Sequence, residues 1–395
     1  MNDLSQNEFA DKHNAAAEPG RVAFVLPGLR AGGSEHVVTF VADRLAERGH
    51  AVEIVNFETG EDPPYYTPDP RIDIAYLARP VKRRTKLDAM REIAARISDL
   101  RAHFTASKPD LIISFLTRSN VQTILATRGL GIPVIVSERN NPVQQNPGNV
   151  WRWLRRRTYP MADGLVTMTR GAMECFPPAM RKRSWVIPNM AEWGTTAAKP
   201  AETGETKVLT AVGRLTHQKG FDLLLHAFSK IADNHPEWTL RIWGEGADRA
   251  DLEALRSNLA LNDRVELPGV TSVPGEWIET ADAFVLSSRF EGWGLVLGEA
   301  MAAGLPAVSF ACDFGPEDMI THGDDGLLVP DGDVDALADA LSRLMRDEPL
   351  REKLGARARE TSQQFQPAKI GEKWTDMIEG FLTEAGDTLS KGKAR

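Results

Sequence analysis

From residue 21 onward the chain alternates short apolar runs with longer stretches in which apolar residues recur at helical spacing. The run "RVAFVLPGL" ends in proline and glycine, a glycine-rich "RAGGSEH" follows, and "VVTFVADRLAERGH" then repeats at a period near 3.6 up to a glycine stop. Further strands are expected at "AVEIVNF", "IDIAYL", "LIISFL", "PVIVSE" and "GLVTMT", with a long amphipathic helix over roughly residues 86–106. Strands that alternate with helices predict βαβ units and a mostly parallel sheet. After "IPNM" (residues 187–190) the pattern breaks into "AEWGTTAAKPAETGETK", small and polar, which reads as a linker. It then restarts with "KVLTAVGRL", "TLRIWGEG", "RVELPGV", "AFVLSS" and "PAVSF", with helices from about residues 221 and 248.

The expected fold is therefore α/β, with two Rossmann-like, doubly wound domains facing a central cleft. The expected division is a disordered leader over 1–20, a first domain over 21–190, a linker over 191–206 and a second domain over 207–366. A helix and tail over 367–395 are expected to cross back to the first domain. A chain of 395 residues exceeds one ordinary core, which fits two domains. In open α/β sheets ligands bind beyond the carboxyl ends of the strands, beside helix N-termini. Two such domains in tandem suit a reaction between two bound substrates, one on each wall.

Composition narrows the class. The chain is 42% hydrophobic and 26% charged, as soluble globular proteins are, and has no run of 18 apolar residues. The polar start "MNDLSQNEFADKHNAAAEPG" has no apolar core of a signal peptide. Cys175 and Cys312 form no CxxC pair, which suits a reducing compartment. The expected location is the cytoplasm. The net charge of −8 is uneven: residues 1–200 hold 27 Lys and Arg against 21 Asp and Glu, and the remainder 20 against 34. The basic excess gathers in "RPVKRRTK" (79–86), "WRWLRRR" (151–157) and "RKR" (181–183). No motif accompanies these patches that would indicate nucleic acid.

Three loops carry candidate chemistry. In "RFEGWGLVLGEAMAAGL" (289–305), "AFVLSS" is the preceding strand, "RFEGWG" the loop at its carboxyl end, and the rest a helix stopped by Gly304. Gly292 and Gly294 allow backbone amides to approach a ligand, and the helix start behind them favours an anion. Glu291 projects from the loop and Glu299 from the helix, as acceptors for sugar hydroxyls or as plain solvated glutamates. "VGRLTHQKG" places Arg214 and Lys219 between a strand and a helix, where paired cations fit a diphosphate. No GxxxxGK[ST] is present, so this is no Walker loop. "GLRAGGSEH" sets Gly32 and Gly33 in the first strand-to-helix turn, facing a phosphate or merely shaping the turn. Without GxGxxG spacing it is a weak site for NAD. "DGD" (331–333) resembles a metal-binding pattern but opens a helix, where Asp as N-cap suffices. The histidines show no ligand spacing, and no metal or cofactor is assigned; His36 is singled out only for its place beside the glycine turn.

Taken together, "GGSE", "GRLTHQKG" and "EGWGLVLGEAMAAGLP" resemble the family 4 retaining glycosyltransferases of GT-B fold, over residues 21 to the last helix. "SFLTRSN", "VSERNNP", "IPNM", "GPEDMI" and "DGLLVPDGD" add to the likeness. The resemblance implies an acceptor-binding first domain and a second domain that binds a nucleotide diphosphate sugar, UDP before GDP. It implies that Arg214 and Lys219 hold the diphosphate and that Glu291 contacts the donor sugar, these three being the catalytic residues. Glu299 would contact the ribose, Gly294 and Leu295 the phosphate through their amides, and Gly32 and Gly33 would close over it. Trp243–Gly246, Gly244 among them, would line the nucleotide. The family usually has phenylalanine where Trp293 stands.

One departure is clear. Many members carry a histidine near the sugar in the segment matching "FLTRSN", and here Thr117, Arg118 and Asn120 stand instead, as possible sugar or acceptor contacts. No general base is assigned, because in a front-face displacement the departing phosphate accepts the acceptor's proton. The members most similar to this chain extend lipid-diphosphate-linked glycans, which implies a lipid-linked acceptor and gives the basic patches an anionic membrane surface to meet. The rival readings are a nucleotide-sugar epimerase of the same fold, a non-catalytic sugar-nucleotide binder and an NAD-dependent oxidoreductase.

Overall fold

The computed structural model describes residues 19–30, 32–78, 85–145, 147–191, 206–271 and 275–393. The leader expected over 1–20 and the linker expected over 191–206 fall outside these residues, apart from positions 19, 20, 191 and 206; most of the "RPVKRRTK" patch does too.

Two parallel sheets form. The first contains β1 (Arg21–Val25), β2 (Ala51–Asn56), β3 (Asp73–Tyr76), β4 (Leu111–Phe115), β5 (Val134–Glu138), β6 (Gly164–Thr167) and β7 (Ser184–Val186). Its order is β3-β2-β1-β4-β5-β6-β7. The second contains β8 (Lys207–Val212), β9 (Trp238–Trp243), β10 (Val265–Gly269), β11 (Ala283–Leu286), β12 (Ala307–Phe310) and β13 (Leu327–Val329), in the order β10-β9-β8-β11-β12-β13. Each is the doubly wound arrangement expected from the alternation. The three-residue edge strands β7 and β13 are the ones the pattern does not announce, being too short for a period to register.

Each sheet is apolar on both faces because helices cover both. Along β1, Val22 and Phe24 pack on one side with the helix Gly33–Glu47, while Ala23 and Val25 pack on the other. That helix buries Val37, Val38, Val41, Ala42 and Leu45, a stripe at helical spacing, and the chain turns away at Gly49 with φ 90°.

Strand order decides where the chemistry collects. In the first sheet the winding reverses between β1 and β4, and in the second between β8 and β11. Loops leaving the carboxyl ends of such neighbours diverge to opposite faces and leave a crevice. The loops concerned are residues 26–30 with the turn at Gly32 and the turn after β4 in the first domain, and residues 213–220 and 287–294 in the second. All four carry residues picked out from the sequence.

The final helix, Pro367–Lys393, returns to the first domain. Ile370, Trp374, Met377, Ile378 and Phe381 complete that domain's core beside Val38, Val41 and Phe115. Trp374 is fully buried, its ring stacked 5.6 Å from that of Phe115.

Candidate active site in the interdomain cleft

The two crevices meet at one cavity of about 440 Å³. From the first domain it is lined by Gly32, Gly33, Ser34, Arg139 and Asn189, and from the second by Arg214, Lys219, Glu291, Gly294 and Leu295, among others. The walls are close: a Cβ added at Gly33 would stand 3.7 Å from the Leu295 side chain.

Two helices begin at this cavity, and neither has a side-chain cap. Gly32 is the N-cap of Gly33–Glu47 and Gly294 that of Leu295–Ala303, each without a side-chain hydrogen bond. Among the described residues the Glu35 amide bonds its own carboxyl and the Leu297 amide donates to the Gly294 carbonyl (3.0 Å), whereas the amides of Gly33, Ser34, Leu295 and Val296 are left to a ligand or to solvent, with the positive end of the helix dipole behind them. Gly294 has φ 92°, a left-handed conformation that favours glycine and directs the chain into the helix.

Lys219 and Glu291 form the core of the second wall. Lys219 Nζ lies 2.7 Å from Glu291 Oε1, and the same oxygen accepts from Ser288 Oγ at 2.6 Å. Both side chains are largely buried. Around them the two loops are stitched together. Ser287 Oγ donates to the Lys219 carbonyl (2.9 Å), Gln218 Nε2 to the Phe290 carbonyl (3.1 Å), and Arg289 grips Asp222 with both terminal nitrogens (2.8 and 2.6 Å). Gly213 clears space for the lysine: a Cβ there would meet Lys219 Cε at 2.8 Å. Arg214 is exposed into the cavity.

Glu299 lies in the Leu295–Ala303 helix, outside the lining residues. Burial pushes its carboxyl up to about 7. From the first domain the Tyr66 phenol approaches it closely enough to feel its charge, and Tyr66 stacks on His36 with ring centroids 4.7 Å apart. Gly244 has φ 138°, and a Cβ there would overlap the Gly213 carbonyl at 1.9 Å, so it lets β9 pass behind the Arg214 loop. Trp243 is a core residue of the second domain.

Thr117, Arg118 and Asn120 are not among the cavity's lining residues. Thr117 Oγ1 donates to Glu138 Oε1 (2.8 Å), and Asn120 Nδ2 donates to the Ser137 carbonyl (3.0 Å) and to Tyr159 Oη (2.9 Å). Tyr159 in turn donates to Glu138 Oε2 (2.7 Å), closing a buried polar network within the first domain. Arg118 lies outside it, its guanidinium 5.6 Å from the Trp151 ring. Directly before them Leu116 has φ 72°, a strained conformation for a branched residue at the carboxyl end of β4. Asp333 caps the helix Val334–Arg346, accepting from the Ala336 amide at 2.9 Å, which gives "DGD" the ordinary explanation.

Sequence reasoning did not single out Arg139, Asn189 or Tyr66. Arg139 and Asn189 stand in runs that carried the family resemblance, "VSERNNP" and "IPNM", but no spacing distinguishes them. Tyr66 lies in a long connection whose path only the folded chain defines.

Comparison with known proteins agrees with this architecture. Residues 195–361 match the model described as "Glycosyl transferases group 1", and residues 32–189 match "Glycosyl transferase 4-like domain". The chain is 32% identical to an exopolysaccharide phosphotransferase of Streptomyces coelicolor, over 93% of this chain but 41% of that protein, so it spans less than half of that relative's length. It is 28% identical to an α-1,4-N-acetyl-D-galactosaminyltransferase of Campylobacter jejuni named for a diphosphate-undecaprenol glycan, over 91% of this chain and 98% of that one. Among solved structures, sucrose-phosphate synthase from Thermosynechococcus elongatus superimposes with a TM-score of 0.80 at 20% identity, covering 92% and 100% of the two chains. Anabaena HepE, determined with UDP and glucose, gives 0.72 at 18%, covering 91% and 99%. At these identities the structural likeness speaks for the fold.

Proposed function

We propose, on the premise that this chain belongs to the glycosyl transferases of group 1 and adopts their GT-B fold, that it moves a hexose or N-acetylhexosamine from a UDP-sugar to a glycan acceptor. The observation that carries the donor reading is the pair of uncapped helix N-termini, one per domain, opening on a cavity that also holds Arg214 and Lys219. Amides at two helix starts and two cations lining one cavity suit a diphosphate leaving group, whose negative charge grows as the sugar departs.

The lining also favours retention of configuration. Glu291 is the one carboxylate among the described lining residues, and it is already tied to Lys219 and Ser288. An inverting route requires a free base on the acceptor's side. In a front-face displacement the bond from the anomeric carbon to the phosphate oxygen breaks first. The acceptor hydroxyl then attacks from the same side and passes its proton to that oxygen. Glu291 would accept a donor hydroxyl while holding Lys219 in place, and Glu299 would take the ribose. The guanidinium and ammonium groups supply the charge for which other transferases use a metal. Epimerisation is not favoured, since both matched families are transferases.

The acceptor would be lipid-linked, in the synthesis of cell-surface polysaccharide, as the name of the C. jejuni relative suggests. No helix among the described residues is long and apolar enough to cross a membrane. The helix Asn149–Thr158 instead offers a surface: Val150 and Trp153 are 65% and 56% exposed beside the exposed Arg152, Arg156 and Arg157. Such a face would let the enzyme rest on an anionic cytoplasmic leaflet. Equal sedimentation with anionic and neutral vesicles would remove this part.

Calorimetric titration of UDP in EDTA, with GDP and NAD in parallel and Lys219→Ala as control, tests the donor reading. UDP is expected to bind at micromolar concentration without metal, and at least tenfold more weakly to the variant. Binding of NAD alone would overturn it.

A further inference from the structure

Arg139 follows β5 directly and lies on the first-domain wall of the cavity, 6% exposed. Its Nη1 donates to the Ile187 carbonyl at 3.1 Å and its Nη2 to Asn189 Oδ1. Its Nε is buried without a hydrogen-bond partner, and the Trp374 ring centre lies 6.0 Å from the guanidinium carbon. Among the described residues no carboxylate is within ion-pair distance of it. The adjacent Glu138 points elsewhere, into the Thr117–Tyr159 network.

A cation in this position is costly, because its loss of hydration is offset by two neutral acceptors and no negative charge. Burial alone lowers its pKa to about 9. A buried charge that the protein leaves uncompensated, at the wall of a ligand cavity, is most simply compensated by the ligand.

The surroundings identify the ligand's charge. Asn189 Nδ2 lies 3.6 Å from where a Gly33 Cβ would be, so the Arg139–Asn189 pair sits directly beneath the glycine turn. Across the cavity Lys219 is engaged with Glu291, whereas Arg214 shows no ion pair among the described residues. Arg139 and Arg214, one from each domain and neither with a counter-ion among the described residues, thus line one cavity. A diphosphate esterified at both ends carries one negative charge on each phosphoryl group, which matches them.

We propose that Arg139 is the first domain's anchor for the donor's diphosphate, so that the leaving group is gripped from both walls of the cleft. This rests on the donor reading above. Arg214 and Lys219 hold the diphosphate on the second domain whatever the first domain does. Arg139 reaches it only while the walls are together, which makes the bound diphosphate itself the bridge between domains.

The test is UDP titration of the full chain, comparing Arg139→Met, Arg139→Lys and Lys219→Ala, with circular dichroism to verify folding. Arg139→Met is expected to weaken UDP at least tenfold and to flatten the dependence of affinity on salt, because one cation fewer meets the phosphates. Arg139→Lys should recover part of both, which a purely structural tie through Ile187 and Asn189 would not do. If Lys219→Ala weakens UDP while Arg139→Met does not, this inference fails and the donor reading stands. A rise only in the acceptor's KM in Arg139→Met would assign the guanidinium to the acceptor and likewise overturn it. If neither variant alters UDP binding, the donor reading beneath it fails.

Discussion

Lys219 and Glu291 depend on each other, as a buried pair 2.7 Å apart whose members both serve the candidate site. Lys219→Met leaves Glu291 with Ser288 alone and is expected to destabilise the protein by about 3 kcal/mol, the scale for stranding one partner of a buried ion pair. Adding Glu291→Gln should restore most of that stability and none of the activity, which thermal melts and turnover assays separate. Glu299 makes a second prediction. Its carboxyl rises from 4.5 to about 7 in the fold because burial disfavours the charged form. The stability it contributes is full below about pH 4.5 and lost as pH rises toward about 7. Glu299→Gln should remove that decline, read from denaturant midpoints between these pH values. If the ionised carboxylate accepts the ribose hydroxyls, UDP binding near pH 7 will release protons in the native protein and none from Glu299 in the variant. Calorimetry in buffers of different ionisation heat measures this.

At the scale of elements, the final helix is the piece that crosses domains, and Trp374 is its deepest side chain. Trp374→Ala is expected to cost about 3–5 kcal/mol through the cavity it opens against Phe115, measured by equilibrium denaturation. The alternation of apolar runs made both sheets legible, because a strand covered on both faces is apolar throughout and its flanking helices are not. The Arg214–Lys219 and Glu291–Gly294 loops were legible for the same reason, since each follows a strand whose end the pattern marks. Arg139 and Asn189 were not, because the burial of the Arg139 guanidinium against Asn189, without a counter-ion among the described residues, exists only after two distant segments pack. For Thr117 and Asn120 the sequence gives their place after β4, but not that their polar atoms turn inward to Glu138 and Tyr159 and away from the cavity.

At the scale of the whole molecule, two glycines let the walls touch. A Cβ at Gly292 would meet Met168 Cε at 2.8 Å and the Arg139 carbonyl at 3.1 Å, and one at Gly171 would meet the Phe314 ring at 2.7 Å. Gly292→Val is expected to keep the domains apart, lowering kcat/KM for the donor at least tenfold while melting within a few degrees of the native protein. Small-angle scattering should then show no contraction on adding UDP. The returning helix has a consequence in time as well as in space. A first domain made of the first half of the chain ordinarily folds while the rest is being translated. Here its core waits for residues 370–381, synthesised some 180 positions after β7 ends. At about 5–20 residues per second that is a delay of roughly 10–40 s, during which Phe115 and its neighbours lack their cover. For that interval the nascent first domain presents an apolar face that chaperones can bind, and a ribosome stalled before residue 370 would leave that face exposed.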